Sequence, residues 1–172
     1  MVVWMNSDPG SAEEARIEMS YREYLLEVHR IAFNHAKQLE KELGREQALQ
    51  VCTRAGDSYG RDLGRRHIAA YGEVHDFEDF KALWRKLITA PMWTNTQQCE
   101  IVHEGPNELR MKVTRCLWAE TFKELGDLEL GYAMCCHPDH QMIKAYHPRL
   151  RLERTKSIMK GDDHCNHIFI WE

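Results

Sequence analysis

Apolar residues recur at intervals of three and four from about Glu13 to Leu43: Ile17, Tyr21, Tyr24, Leu25, Val28, Ile31, Ala32, His35 and Leu39. That spacing draws one apolar stripe along a helix. Gly44 follows and suits a helix end. A second helical pattern fits Gln47 to Tyr71, interrupted by Gly56, Gly60 and Gly64. Residues four apart share a face. Glycine lowers helix propensity, so this spacing points to two helix backbones packed closely. No GK[ST] follows, so a phosphate loop is not indicated. Asp76 can cap a third helix, Phe77 to Ile88, with Asp79 at its third position. Pro91 is expected to end the helical region.

The period then changes. Cys99, Ile101 and His103 alternate with polar residues, Gly105-Pro106-Asn107 can turn, and Leu109, Met111 and Val113 alternate again. This is a hairpin pattern. Helices are expected over Leu117–Leu125 and Leu128–Cys136, the latter resuming after Pro138 as far as Tyr146, with Pro148 as the break. Leu150, Leu152 and Arg154 alternate, Lys160-Gly161-Asp162-Asp163 turns, and Cys165, His167, Phe169 and Trp171 share one strand face. The fold class is therefore α+β: N-terminal helices, then hairpin–helices–hairpin forming an antiparallel sheet covered by helices. Residues 1–12 read as a loose leader and 13–172 as a single α+β domain, with a helical part at 13–90 and a motif-bearing part at 95–172.

Composition narrows the function classes. The 172 residues suit one domain with a real core, and 43% hydrophobic with 29% charged is ordinary for a globular chain. A net charge of −4 with no basic arm gives no sign of nucleic-acid binding. No run of about 18 apolar residues predicts a membrane span. Met1–Gly10 is short, contains Asp8 and lacks a basic start before an apolar run, unlike a signal peptide. The expected compartment is cytoplasmic, where cysteines stay as thiols or bind metal.

The reactive side chains concentrate late. Cys116, Cys135, Cys136 and Cys165 are four of the six cysteines. Cys116 falls where a hairpin ends and a helix begins, and a helix N-terminus favours thiolate. Its other reading is a small buried apolar residue. Cys135-Cys136-His137-Pro138-Asp139-His140 sets five ligand or acid–base groups at a helix break. Two chemistries compete. Three cysteines, Cys116, Cys136 and Cys165, with Asp139 or His140 could make a tetrahedral zinc site, although paired C-x2-C knuckles are missing. Alternatively one cysteine attacks an electrophilic carbon while Asp139 or a histidine handles protons. Trp118 could line a pocket, with core packing as its other reading. Arg149, Arg151, Arg154 and Lys156 suggest a solvated strand face, of which Arg154 is the candidate partner for a substrate carboxylate. His29, His35, His67, His75 and His103 are scattered and carry no assigned role; Met134, Met142 and Met159 read as core filler.

Six pieces of sequence also have a family look. Cys116-Leu117-Trp118-Ala119-Glu120 precedes Gly126-Asp127-Leu128-Glu129-Leu130-Gly131, and then come Cys136-His137-Pro138-Asp139, Tyr146-His147-Pro148 with Leu152-Glu153-Arg154-Thr155-Lys156, and Gly161-Asp162-Asp163-His164-Cys165. Together, over about residues 95–170, they resemble the L-2-amino-thiazoline-4-carboxylic acid hydrolase family. The resemblance implies hydrolysis of C–N bonds of cyclic amidines: opening of a small carboxylate-bearing ring to a carbamoyl-cysteine. It puts Cys116, Cys136, Asp139 and Cys165 in the catalytic set, with Trp118, His140 and Arg154 toward substrate. Cys135 falls where relatives carry an apolar residue and leaves that set. The topology is more loosely similar to ligand-binding domains of the four-vinyl-reductase type, some of which hold zinc. The thiol reading needs no cofactor and the alternative, a non-catalytic small-molecule-binding or sensing domain, takes zinc. The expected partner is a small molecule rather than nucleic acid or membrane, and a homo-oligomer through the sheet face is a third reading.

Overall fold

A computed structural model describes residues 18–172. The leader at 1–12 and the start of the first helical pattern, Glu13 to Ile17, lie outside the described residues. Helix α1 runs over Tyr21–Leu43. It begins later than the apolar stripe suggested because Ser20 closes a capping box: its side chain accepts from the Glu23 N–H, and the Glu23 carboxylate accepts from the Ser20 N–H at 2.7 Å. Gly44 follows at φ +83°, a backbone angle that favours glycine. Helix α2 spans Arg45–Tyr71 and α3 spans Phe77–Thr89. Asp76 caps α3 as expected, accepting from the Asp79 N–H at 2.9 Å. Pro91 does not end the helical region. It sits at the first turn of a short helix α4, Pro91–Thr96, where its missing N–H costs nothing.

Strands β1 (Gln97–Glu104) and β2 (Glu108–Cys116) form the first hairpin. Helices α5 (Leu117–Leu125) and α6 (Leu128–Gly131) follow. A π-helix turn over Tyr132–Cys136 then leads into α7, Pro138–Tyr146. The break expected at Pro138 thus starts one turn earlier, where the His137 N–H donates to Tyr132 O, five residues back, at 2.9 Å. Strands β3 (Leu150–Glu153) and β4 (Cys165–Trp171) complete an antiparallel sheet in the order β1-β2-β4-β3.

Alternation sorts the sheet into two faces. Leu109 opposes Phe169, Met111 opposes His167 and Val113 opposes Cys165, all turned inward with Leu150 and Leu152. Helices α3 and α7 cover that face through Phe80, Trp84, Met142, Ile143 and Tyr146. The Trp84 and Phe169 rings lie 4.6 Å apart. A second core joins α1, α2, α5 and α6 through Ala36, Cys52, Phe122 and Leu130. The glycine face of α2 does pack backbone to backbone, and its partner is α7. A Cβ at Gly60 would stand 2.2 Å from Pro138 O; at Gly64, 2.7 Å from Met142 O; at Gly56, 2.9 Å from Pro138 Cγ. Those contacts fix the start of α7, which carries Asp139.

Candidate active site

Arg154 lies just past β3 and continues its inward positions after Leu150 and Leu152. Its side chain is only 2% exposed, whereas Arg149, Arg151 and Lys156 are exposed. The basic run is therefore a solvated face with one member turned in. The carboxylate Arg154 meets is the protein's own. Its Nη2 donates to Asp139 Oδ2 and to His167 Nε2, each at 2.5 Å, and its Nη1 donates to Cys136 O at 3.0 Å. One guanidinium thus ties the first turn of α7, the π-helix and β4 together.

Electrostatics fix the protonation of this triad. Burial pushes the Asp139 carboxyl up, but the Arg154 charge and His167 more than offset it and hold the group below its usual range. Burial, with Arg154 adding, pushes His167 down to about 4. The imidazole is then neutral near pH 7. Because Nε2 accepts from Arg154, its proton sits on Nδ1, which is buried without a partner.

The cysteines divide. Cys116 packs against the sheet core that contains Cys165. The N–H groups of Ala119 and Trp118 favour its thiolate, as the helix start suggested, but burial wins and pushes it up to about 11, with Cys165 and Asp139 among the groups that influence it. The expected lowering at the helix N-terminus is therefore overturned by desolvation. Cys136 is likewise raised, chiefly by burial, with Arg154 opposing and Asp139, Cys116 and Cys165 adding. Cys165 Sγ accepts from the Ile158 N–H at 3.2 Å and lies 3.9 Å from Ser157 Oγ, which anchors the loop before β4. Cys135 turns away from Arg154 and faces His29 Nε2 at 3.8 Å. His29 Nδ1 meets Thr121 Oγ1 at 2.7 Å, and that hydroxyl donates to Trp118 O at 3.0 Å. The π turn sends two consecutive thiols to different neighbours.

Asp139, Cys136 and Cys165 thus lie within electrostatic reach of Arg154, and Cys116 within reach of Cys165 and Asp139. His140 stands apart, its Nδ1 donating to Leu152 O at 3.1 Å. Trp118 is half-buried against the second core. Among the described residues, no three of His, Cys, Asp and Glu are grouped to hold a metal ion. The cysteines do not form a zinc cage in this arrangement. His167 was missing from the sequence-derived set, although the alternation of β4 places it on the face of Cys165.

Two buried neutral histidines make acid the sensitive side. His29, like His167, is pushed down to about 4 by burial. Between that value and 6.5 the unfolded chain binds protons that the folded chain refuses, so stability falls as pH drops through this window. Each group is worth at most about 3 kcal/mol over the full shift. Melting temperature is expected to fall steadily from pH 6.5 to 4, and His29→Phe should flatten the slope. A melting temperature independent of pH across that range would contradict the neutral assignment.

The model of a family described as L-2-amino-thiazoline-4-carboxylic acid hydrolase matches residues 25–169. No curated protein matches the chain. Among solved structures, it is similar to the phenol-responsive sensory domain of the transcription activator PoxR, crystallised with phenol. The TM-score is 0.51 at 11% identity, with 92% of this chain and 78% of that chain covered. At that identity the likeness is one of fold.

Proposed function

Because the chain belongs to the L-2-amino-thiazoline-4-carboxylic acid hydrolase family, we propose that it hydrolyses a small carboxylate-bearing cyclic amidine, such as L-2-amino-thiazoline-4-carboxylate, to a carbamoyl-cysteine. The observation that carries the reading is the Asp139–Arg154–His167 triad, its Arg154 and His167 buried, within electrostatic reach of the Cys116 thiol. It brings together a fixed carboxylate, a fixed cation and a sulfur nucleophile in largely desolvated surroundings, where electrostatic effects are strongest.

The amidine carbon C2 is electrophilic when its nitrogen is protonated. Cys116 Sγ adds to C2 as its proton leaves toward Asp139. The adduct opens at one of the two ring bonds of C2, and the departing ring atom takes the proton. Water then adds to C2 and expels Cys116 as thiol. Ring plus one water gives carbamoyl-cysteine, with nothing else released. Cys136 and Cys165 wall the region, and Arg154 keeps Asp139 ionised until it acts. Holding ring and thiol in line can supply on the order of 7–11 kcal/mol.

Incubation of the purified chain with L-2-amino-thiazoline-4-carboxylate is expected to yield a product heavier by one water. Cys116→Ala and Asp139→Ala should each lower kcat/KM by at least about a hundredfold while far-UV circular dichroism stays unchanged. Full activity in both variants would remove these residues from the reaction.

A further inference from the structure

Gln97 is the first residue of β1 and pairs in register with Cys116 at the end of β2. Directly opposed residues of antiparallel strands present side chains to the same face, with Cβ atoms about 4.5–5.5 Å apart. Its backbone is pinned, since its N–H closes α4 by donating to Trp93 O. Yet its side-chain Oε1 is buried and accepts no hydrogen bond. Four other buried polar atoms of the same covered face lack partners: Arg154 Nε, His167 Nδ1 and the indole N–H groups of Trp84 and Trp93; the first two belong to the side chains that meet Asp139. Buried groups of this kind are normally paired, and each one left over calls for an explanation.

Gln97 Oε1 and the two atoms of the Asp139 cluster differ in sign. Arg154 Nε–H and His167 Nδ1–H are donors on the two side chains that meet Asp139, and Gln97 Oε1 is an acceptor on the residue paired in register with Cys116. A guest that satisfies all three has acceptor oxygens at one end and N–H donors at the other. We infer that Gln97 is a specificity-determining contact: its Oε1 accepts an N–H of the amidinium group and turns the ring so that C2 faces Cys116. The ring carboxylate then lies toward Arg154 Nε and His167 Nδ1. The inference rests on the ring-opening reading and adds what selects the substrate class. A positively charged N–H donor on the ring carbon is required, and a ring with a methyl group in its place leaves Gln97 unpaired.

The test compares two compounds, L-2-amino-thiazoline-4-carboxylate and 2-methyl-thiazoline-4-carboxylate, whose opening gives acetyl-cysteine. Gln97→Met keeps the length and removes the acceptor; Gln97→Glu keeps an acceptor. The wild-type chain is expected to prefer the amino compound. Q97M should lose on the order of a hundredfold in kcat/KM on the amino compound, as for a hydrogen bond to a charged group, and little on the methyl compound. Q97E should keep the preference. An equal loss on both compounds in Q97M, with the preference intact, would overturn the inference and leave Gln97 a packing residue. If the wild-type chain opens neither ring, the reaction reading fails on its own. Titration of tryptophan fluorescence with the same compounds then decides Gln97. A preference in Kd that Q97M erases supports the contact, and no preference, or no binding of either compound, overturns it.

Discussion

Arg154→Met is expected to lower the unfolding free energy by about 3–5 kcal/mol, the range found when one member of a buried ion pair is removed. The reason is what stays behind. Asp139, half-buried, would remain without the cation that lies 2.5 Å from it, and Cys136 O and His167 Nε2 would lose the donor they share. With Arg154 gone, burial becomes the dominant influence on Asp139, and its carboxyl should move from below its usual value to above it. Stability would then decline as pH rises above the usual carboxylate range, because folding would favour the protonated acid. The double variant R154M/D139N tests the cause. It removes the stranded charge and should recover a good part of the loss. Urea unfolding of the wild type, both single variants and the double variant gives the coupling directly. A loss below about 1 kcal/mol in R154M would mean that the pair is as weak as a surface one.

Gly60→Ala is the second large effect, and its sign runs against helix propensity. Alanine in place of glycine inside a helix should gain about 1 kcal/mol. Here the new methyl would meet Pro138 O at 2.2 Å, and behind it the Pro138 carbonyl carbon at 3.0 Å. Both are backbone atoms, so neither can rotate aside. The helices α2 and α7 must separate, at a net cost of about 3 kcal/mol, toward the upper end for overpacked cores. The shift should also reach the site, since Asp139 follows Pro138 directly. Turnover is expected to fall together with the melting temperature. At Gly56 the nearest atom is a proline ring carbon, at 2.9 Å, so G56A should cost less than G60A. The reverse order would show that the helix contact yields more easily than the backbone distances indicate.

Much of this frame was legible in the sequence because periodicity reports burial directly. The glycine spacing of α2 showed a close contact, and alternation in β4 put Cys165, His167 and Phe169 on one inner face. The partner of the glycine face was not legible, since a stripe shows that something approaches and not what. Arg154 was hard for the same reason: four basic residues within eight positions look like a solvated strand, and only the inward phase of β3 turns one of them in. The thiol pKa direction went the other way from the local expectation at Cys116. A helix N-terminus is visible in a sequence, but the desolvation that outweighs it depends on the whole fold. Gln97 could not be picked out at all, because its significance comes from a strand register with Cys116 that no local pattern states.

The wide turn over Tyr132–Cys136 has a meaning for how such a site can arise. A π turn holds one residue more than an α turn of the same advance, so this stretch reads as a helix that absorbed a single-residue insertion. The segments on either side keep their seats, with Leu130 in one core and Met142 in the other. The extra residue is what lets Cys135 look toward His29 while the Cys136 carbonyl meets Arg154. Lineages sharing this frame can therefore differ here by one residue of chain length and keep the same scaffold while changing which thiols it presents.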